Sequence, residues 1–404
     1  MSIAYAGVRP LVLLSCIVIA ATATASAGPD DALHLYAGLG YGHDDNLLRV
    51  PDNFPGFDNT RADSWWSREG GLIFDKTYSL QRISLVAKLS KYDFDHFKQL
   101  NYDGKDIQAS WYWQVGNHLN GKIGATYNQT LAPYTDFASD QRNLRRSRSR
   151  YAEGTWRFHA AWQARAGFQR DVYAYELAGE RYNNRSENTT ELELDYIARS
   201  ASTVGLVARR VKGAYPFPRP IGNVLLNDDF TQDELKARVK WNVTGSSSID
   251  ALIGYLWRDQ PSYGPGRTRG GAGRVNLSYQ PGGKTSYTAS VSRDFAPLES
   301  TLVSYTLNNG AAVGAQWDAT AKIHVNADFS AERRNYNARQ ALNVPGGANL
   351  RDSIRNASVR ATWTPRPLLH LTAGVAHQSR SGSIVIGTGS FRSNSITLSA
   401  SAQF

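Results

Sequence analysis

The stretch that decides the fold is residues 393–404, SNSITLSASAQF, at the end of the chain. Counting back from Phe404, the residues Ala402, Ala400, Leu398 and Ile396 are apolar, and Gln403, Ser401, Ser399, Thr397 and Ser395 between them are polar. A period of two puts every apolar side chain on one face of an extended strand and every polar one on the other. The aromatic residue ends the chain. A strand of this kind closes outer-membrane β-barrels and presents the C-terminal signal that the barrel-assembly machinery reads. A soluble sandwich also contains amphipathic strands, so the rest of the sequence has to choose between the two.

The same alternation recurs along the chain. Leu235, Ala237, Val239, Trp241 and Val243 alternate with Glu234, Lys236, Arg238, Lys240 and Asn242. Ile107, Ala109, Trp111, Trp113 and Val115 alternate with Gln108, Ser110, Tyr112 and Gln114. About eighteen such segments can be read, or sixteen if two pairs are split differently. Short breaks, expected at 76–77, 116–117, 160–161, 200–201, 244–248, 280–284, 318–319 and 364–367, alternate with longer ones at 43–62, 131–150, 212–228, 335–351 and 379–390. Alternating short periplasmic turns and longer extracellular loops are the pattern of an all-β, transmembrane, antiparallel up-and-down barrel. An even strand number returns both ends to the periplasm. Trp113, Trp241, Trp257, Trp317 and Trp363 fall near breaks, where an interfacial aromatic girdle would lie.

Residues 1–27 read as a signal peptide: Arg9 supplies the basic start, residues 11–20 the short apolar core, and Ala25-Ser26-Ala27 the cleavage site. The barrel is then expected over 28–404. A competing lipoprotein-type site at Leu13-Leu14-Ser15-Cys16 would lipidate Cys16. Cys16 is the only cysteine, so no disulfide framework is available. Mean hydropathy is low, −0.43, which a barrel of half-apolar strands shares with a soluble protein.

If the apolar parity faces lipid, the polar parity lines a lumen. The basic candidates there are Arg82, Lys88, Lys122, Arg157, Arg165, Arg209, Lys236, Arg238, Lys240, Arg258, Arg274 and Arg360, with Tyr112 offering a face for sugar stacking. Fewer acids are read inward: Glu191, Glu193, Asp195, Glu234, Asp250, Asp328 and Glu332. A positive lumen would enrich anions, whereas cross-strand pairing of the same charges would only stiffen the wall. Arg142, Arg145, Arg146, Arg148 and Arg150 are placed in a long loop, where they would meet lipopolysaccharide phosphates or form a collar for an acidic polymer. The loops 215–220, YPFPRP, and 260–265, QPSYGP, are stiff enough to fold inward. The net charge of +10 invites nucleic acid, which an exported barrel would not meet. His43-Asp44-Asp45 and the scattered histidines lack metal-ligand spacing, and no serine has a nucleophile context, so neither cofactor, metal site nor enzyme is expected.

Two stretches carry a family likeness. Residues 41–49, YGHDDNLLR, and 100–117, LNYDGKDIQASWYWQVGN, with Gln81-Arg82 ahead of the second, resemble EpsL-type outer-membrane proteins of exopolysaccharide biosynthesis clusters. The resemblance implies a barrel that exports exopolysaccharide alongside polysaccharide synthesis and export proteins, and it transfers no catalytic residues. Architecture and charge are also similar to alginate-type export porins, by analogy only. The other readings are a general or solute-specific porin and a plugged structural or receptor barrel.

Overall fold

A computed structural model describes residues 32–135, 139–221, 223–261, 268–297, 303–338, 350–382 and 389–404. The signal-peptide and Cys16 expectations, and most of the 260–265 loop, lie outside the described residues. Eighteen strands form one closed sheet and two more form a small hairpin outside it. In chain order they are β1 Leu33–Asp44, β2 Asp63–Tyr78, β3 Gln81–Phe94, β4 Tyr102–Val115, β5 Leu119–Leu131, β6 Leu144–His159, β7 Trp162–Tyr175, β8 Arg185–Ile197 and β9 Thr203–Ala214. The hairpin β10 Arg219–Ile221 and β11 Val224–Leu226 follows. The barrel resumes with β12 Phe230–Thr244, β13 Ser247–Asp259, β14 Thr268–Gly282, β15 Thr285–Pro297, β16 Val303–Thr320, β17 Ile323–Ala338, β18 Arg351–Arg366, β19 Leu369–Ser381 and β20 Phe391–Gln403.

Neighbours in sequence pair antiparallel throughout, β9 pairs β12 across the hairpin, and β20 pairs β1 to close the ring. Closure satisfies every strand edge, as a membrane demands, because lipid offers no hydrogen-bond partner to an open edge. The C-terminal stretch supplies the seam: Leu39 sits opposite Ala400 and Tyr41 opposite Leu398. Leu35 and Phe404 exchange both backbone hydrogen bonds, at 3.0 and 2.7 Å, so the final residue is part of the ladder.

One parity of each strand carries exposed apolar side chains, among them Leu35, Ile123, Leu192, Leu206, Leu235, Val313, Val375 and Ile396. Exposure of large apolar groups around the whole girth is the signature of a lipid-facing surface. Strand lengths run from 12 to 18 residues, whereas crossing the membrane takes only about 9–11. The excess lies at the long-loop end, so the strands stand proud of the membrane there.

The strand ends correct several expectations. The first short turn is at 79–80, not 76–77, with Ser79 at a positive φ of 55°, and a later one is at 321–322, not 318–319. Of the 131–150 segment, 132–135 and 139–143 are loop, and Arg145, Arg146, Arg148 and Arg150 belong to β6. Arginine-rich sequence reads as solvated loop, yet a strand above the hydrocarbon tolerates charge on both faces. The tryptophan girdle is also lopsided. Trp111, Trp156, Trp162, Trp241, Trp317 and Trp363, all exposed, cluster at the short-turn end, with Trp66 at the other.

Candidate functional site: the charged wall and the folded-in mouth

Register places all twelve basic candidates and Tyr112 on the inward parity. They do not form a uniformly basic lining. Arg82 pairs with Asp75 at 2.6 Å and Lys88 pairs with Glu69. On the wall from β6 to β12 the pairs join into one diagonal ladder. Arg165 on β7 holds Glu191 at 2.6 Å and Glu193 on β8, and approaches Glu153 on β6 at 3.5 Å. Arg209 on β9 holds Glu191 and reaches Glu234 on β12 at 3.5 Å. Arg238 is ion-paired with Glu193 at 2.6 Å and Lys236 with Glu234 at 2.7 Å. Glu193, Glu234, Lys236 and Arg238 are all buried. Charges at this depth are tolerated only in opposite-sign pairs, because isolated burial would be prohibitive. The sheet makes room with glycine: a Cβ at Gly205 would lie 2.0 Å from the Asp195 carboxylate.

Arg258 lies 3.6 Å over the Phe230 ring and donates to Gln232, which in turn donates to Glu234. Lys122 is held between the rings of Tyr112 and Tyr151, at 5.0 and 4.9 Å, and the Tyr151 hydroxyl meets Ser110 at 2.8 Å. Arg157 binds the carbonyl of Ala160 beside the short turn. Lys240 and Arg360 are half-buried on the inward face, without an acidic partner among the described residues. Arg274, on β14, faces the same lumen. The sequence reading missed Glu69, Asp75 and Glu153 as inward acids, although parity alone would have placed them.

Inward-folded loops form the second part of the site. Leu48 and Val50 from the first loop, Phe97 and Leu100 from the third, and Trp65, Tyr92, Phe94 and Tyr102 from the strand tops pack as one buried cluster inside the mouth. Asp63 pins it, its carboxylate accepting the backbone N–H groups of Ser64, His96 and Phe97 at 2.7–2.9 Å. The 41–49 stretch is itself part of this cap. Arg49, at φ 55°, turns back to Asp44 at 2.9 Å and donates to Gln378 on β19 at 2.7 Å. The chain after β5 also folds inward, and its Thr135 carbonyl is taken by Arg380 of β19. Arg380 is fully buried against Asp352, 2.6 Å away, which also accepts the Tyr336 hydroxyl at 2.6 Å. Tyr134, its neighbour on this loop, packs against the buried cluster, its hydroxyl buried without a hydrogen-bond partner among the described residues. Burial raises its ionisation above the ordinary tyrosine value, and Tyr102 and Asp140 add to the effect. The Arg49–Gln378 and Thr135–Arg380 contacts join residues hundreds of positions apart, and no local pattern announces them.

Closed antiparallel architecture, a lipid-facing girdle and a polar interior define a bacterial outer-membrane β-barrel. Among solved structures, the chain is similar to the outer membrane protein opdK from Pseudomonas aeruginosa, with a TM-score of 0.50 and 12% identity over 93% of this chain and 99% of that one. It is similar to the same extent to OccK9 (OpdG) of Pseudomonas aeruginosa, at TM-score 0.50 and 14% identity over 92% and 98%. Identities this low establish a shared fold. No family profile and no curated protein sequence matches the chain.

Proposed function

We propose that this barrel is a passive outer-membrane channel for small polar and charged solutes. The supporting observation is the ladder from Glu153 through Arg165, Glu191, Glu193 and Arg209 to Glu234 and Arg238, which runs along one wall beneath a mouth narrowed by folded-in loops. Fixed charges of both signs at close spacing exchange hydration for weak, multi-site contacts, which is what permeation requires. A mouth occupied by packed loops favours solutes over a continuous polymer. Planar-bilayer recording tests the reading. Discrete conductance, with a reversal potential that moves when Arg165 is replaced by Gln, is expected; absence of any channel current, with the 132–143 loop trimmed as well, would leave only a plugged barrel.

A second reading is exopolysaccharide export, supported by the EpsL-type resemblance and by Tyr112 and Tyr151 flanking Lys122 inside the barrel. Aromatic faces beside a cation suit sugar rings and their hydroxyls. Oligosaccharide block of the current, lost in Tyr112→Leu, is its signature. Polymer secretion unchanged on deletion of the gene would rule it out.

A further inference from the structure

The outward face of β6 and β7 carries a feature that permeation does not use. Arg146, Arg148 and Arg150 share the outward parity of β6, and all three are exposed. Arg150 lies directly opposite Arg170 on β7, which is exposed as well. Like charges set directly across from each other destabilise a sheet. The flanking outward residues offer no carboxylate: Ala125 and Tyr127 on β5, Ala152 below, Val172 on β7 and Asn188 on β8. Arg146 donates to Gln129 at 3.1 Å, and Arg148 lies 5.6 Å over the Tyr127 ring, so both are held against the wall without being neutralised.

Height places this cluster in the membrane's outer surface. Trp156 and Trp162 mark the short-turn interface, six and eight residues along the strands from Arg150 and Arg170. At ~3.3 Å per residue that is roughly 20–27 Å of strand. With a tilt of ~35–45° it becomes roughly 15–20 Å of a band ~25 Å tall. Long arginine side chains cover the remainder by snorkelling. The residues between are Ala152, Gly154, Ala164, Ala166 and Phe168, all compatible with lipid. Groups that meet this face are therefore lipid headgroups, not solutes of the lumen.

We propose that Arg148, Arg150 and Arg170 form a binding site for the phosphates of the outer-leaflet glycolipid. The guanidinium fork matches phosphate in a bidentate manner, and three such side chains on adjacent positions of two paired strands are long enough to reach one anionic headgroup. The bound phosphate supplies the counter-charge that the Arg150–Arg170 juxtaposition lacks. The acyl chains of the same lipid lie on Ala152, Phe168 and their neighbours below.

The test uses the full-length barrel in detergent, titrated with diphosphorylated lipid A and followed by native mass spectrometry. Removing the lipid A phosphates is expected to weaken binding to wild type by about tenfold or more. Arg148→Gln/Arg150→Gln/Arg170→Gln is expected to lose as much, and to bind both lipid forms equally. Equal binding of lipid A by wild type and the triple variant would overturn the site, as would independent, additive losses from the variant and from dephosphorylation. Heat-modifiable mobility on a gel reports folding. Should the triple variant not fold, Arg150→Gln alone and the two lipid forms on wild type decide the matter, with indifference to phosphate overturning it. Tight binding of a soluble polyuronate at this face, with lipid A excluded, would overturn it in favour of an acidic polymer.

Discussion

Replacing Arg380 by Ala separates the two jobs of one buried side chain. Arg380 pairs with Asp352 at 2.6 Å, both side chains fully buried, and donates to the Thr135 carbonyl on the loop that folds inward after β5. Leaving Asp352 buried without its cation costs ~3–5 kcal/mol of barrel stability. Loss of the link to Thr135 removes one charge-assisted hydrogen bond, ~1.5–3 kcal/mol. At about 1.4 kcal/mol per tenfold, the loop equilibrium shifts roughly 10- to 150-fold toward the undocked form. The Ala132 amide, which donates to the Asn143 carbonyl at 2.8 Å across the base of the loop, reports undocking by hydrogen exchange. Exchange at Ala132 and single-channel conductance should rise together. In Arg380→Met/Asp352→Leu, apolar groups replace the ion pair, so thermal stability should largely recover while the loop stays loose. Wild-type exchange in that double variant would refute the reasoning, because the Thr135 link would then contribute nothing.

Other expected outcomes test the same geometry. Replacing Arg165 by Gln leaves Glu153, Glu191 and Glu193 with one cation fewer, so the reversal potential in a salt gradient should move toward cation selectivity. Glu193→Gln should shift it the other way and lower the unfolding temperature, since Arg165 and Arg238 both lose their buried anionic partner. Tyr134 ionises more easily undocked than docked, so loop docking is at full strength below the ordinary tyrosine value of ~10 and weakens as pH rises above it. Conductance should therefore increase at strongly alkaline pH, and Tyr134→Phe should reduce that increase without weakening the barrel, because the buried hydroxyl has no hydrogen-bond partner among the described residues.

Periodicity carries a great deal here because lipid is an undemanding but absolute solvent. A side chain on the wrong parity would put charge in hydrocarbon, so the alternation seen in 393–404 had to hold in every strand. Strand number, antiparallel order, the inward placement of residues from Arg82 to Arg360 and the lipid-facing tryptophans were all legible by that rule. Strand ends were not. Toward the outer surface the outward face leaves hydrocarbon for headgroups and water, the alternation loses its penalty, and β6 runs on through Arg145–Arg150 where sequence suggested a loop.

What the chain by itself determined, then, is the barrel and the face each strand residue takes. Tertiary structure decided the state of those residues. Arg165, Arg209 and Arg238 became rungs of a neutralised ladder only because the sheet's stagger brings Glu191, Glu193 and Glu234 from neighbouring strands within bonding distance. The narrowed mouth likewise depends on closure. Thr135 meets Arg380, and Arg49 meets Gln378, only after the β1–β20 seam of the C-terminal stretch has bent the sheet into a ring. Contacts across a lumen are set by the curvature of the whole sheet, and no single strand encodes them.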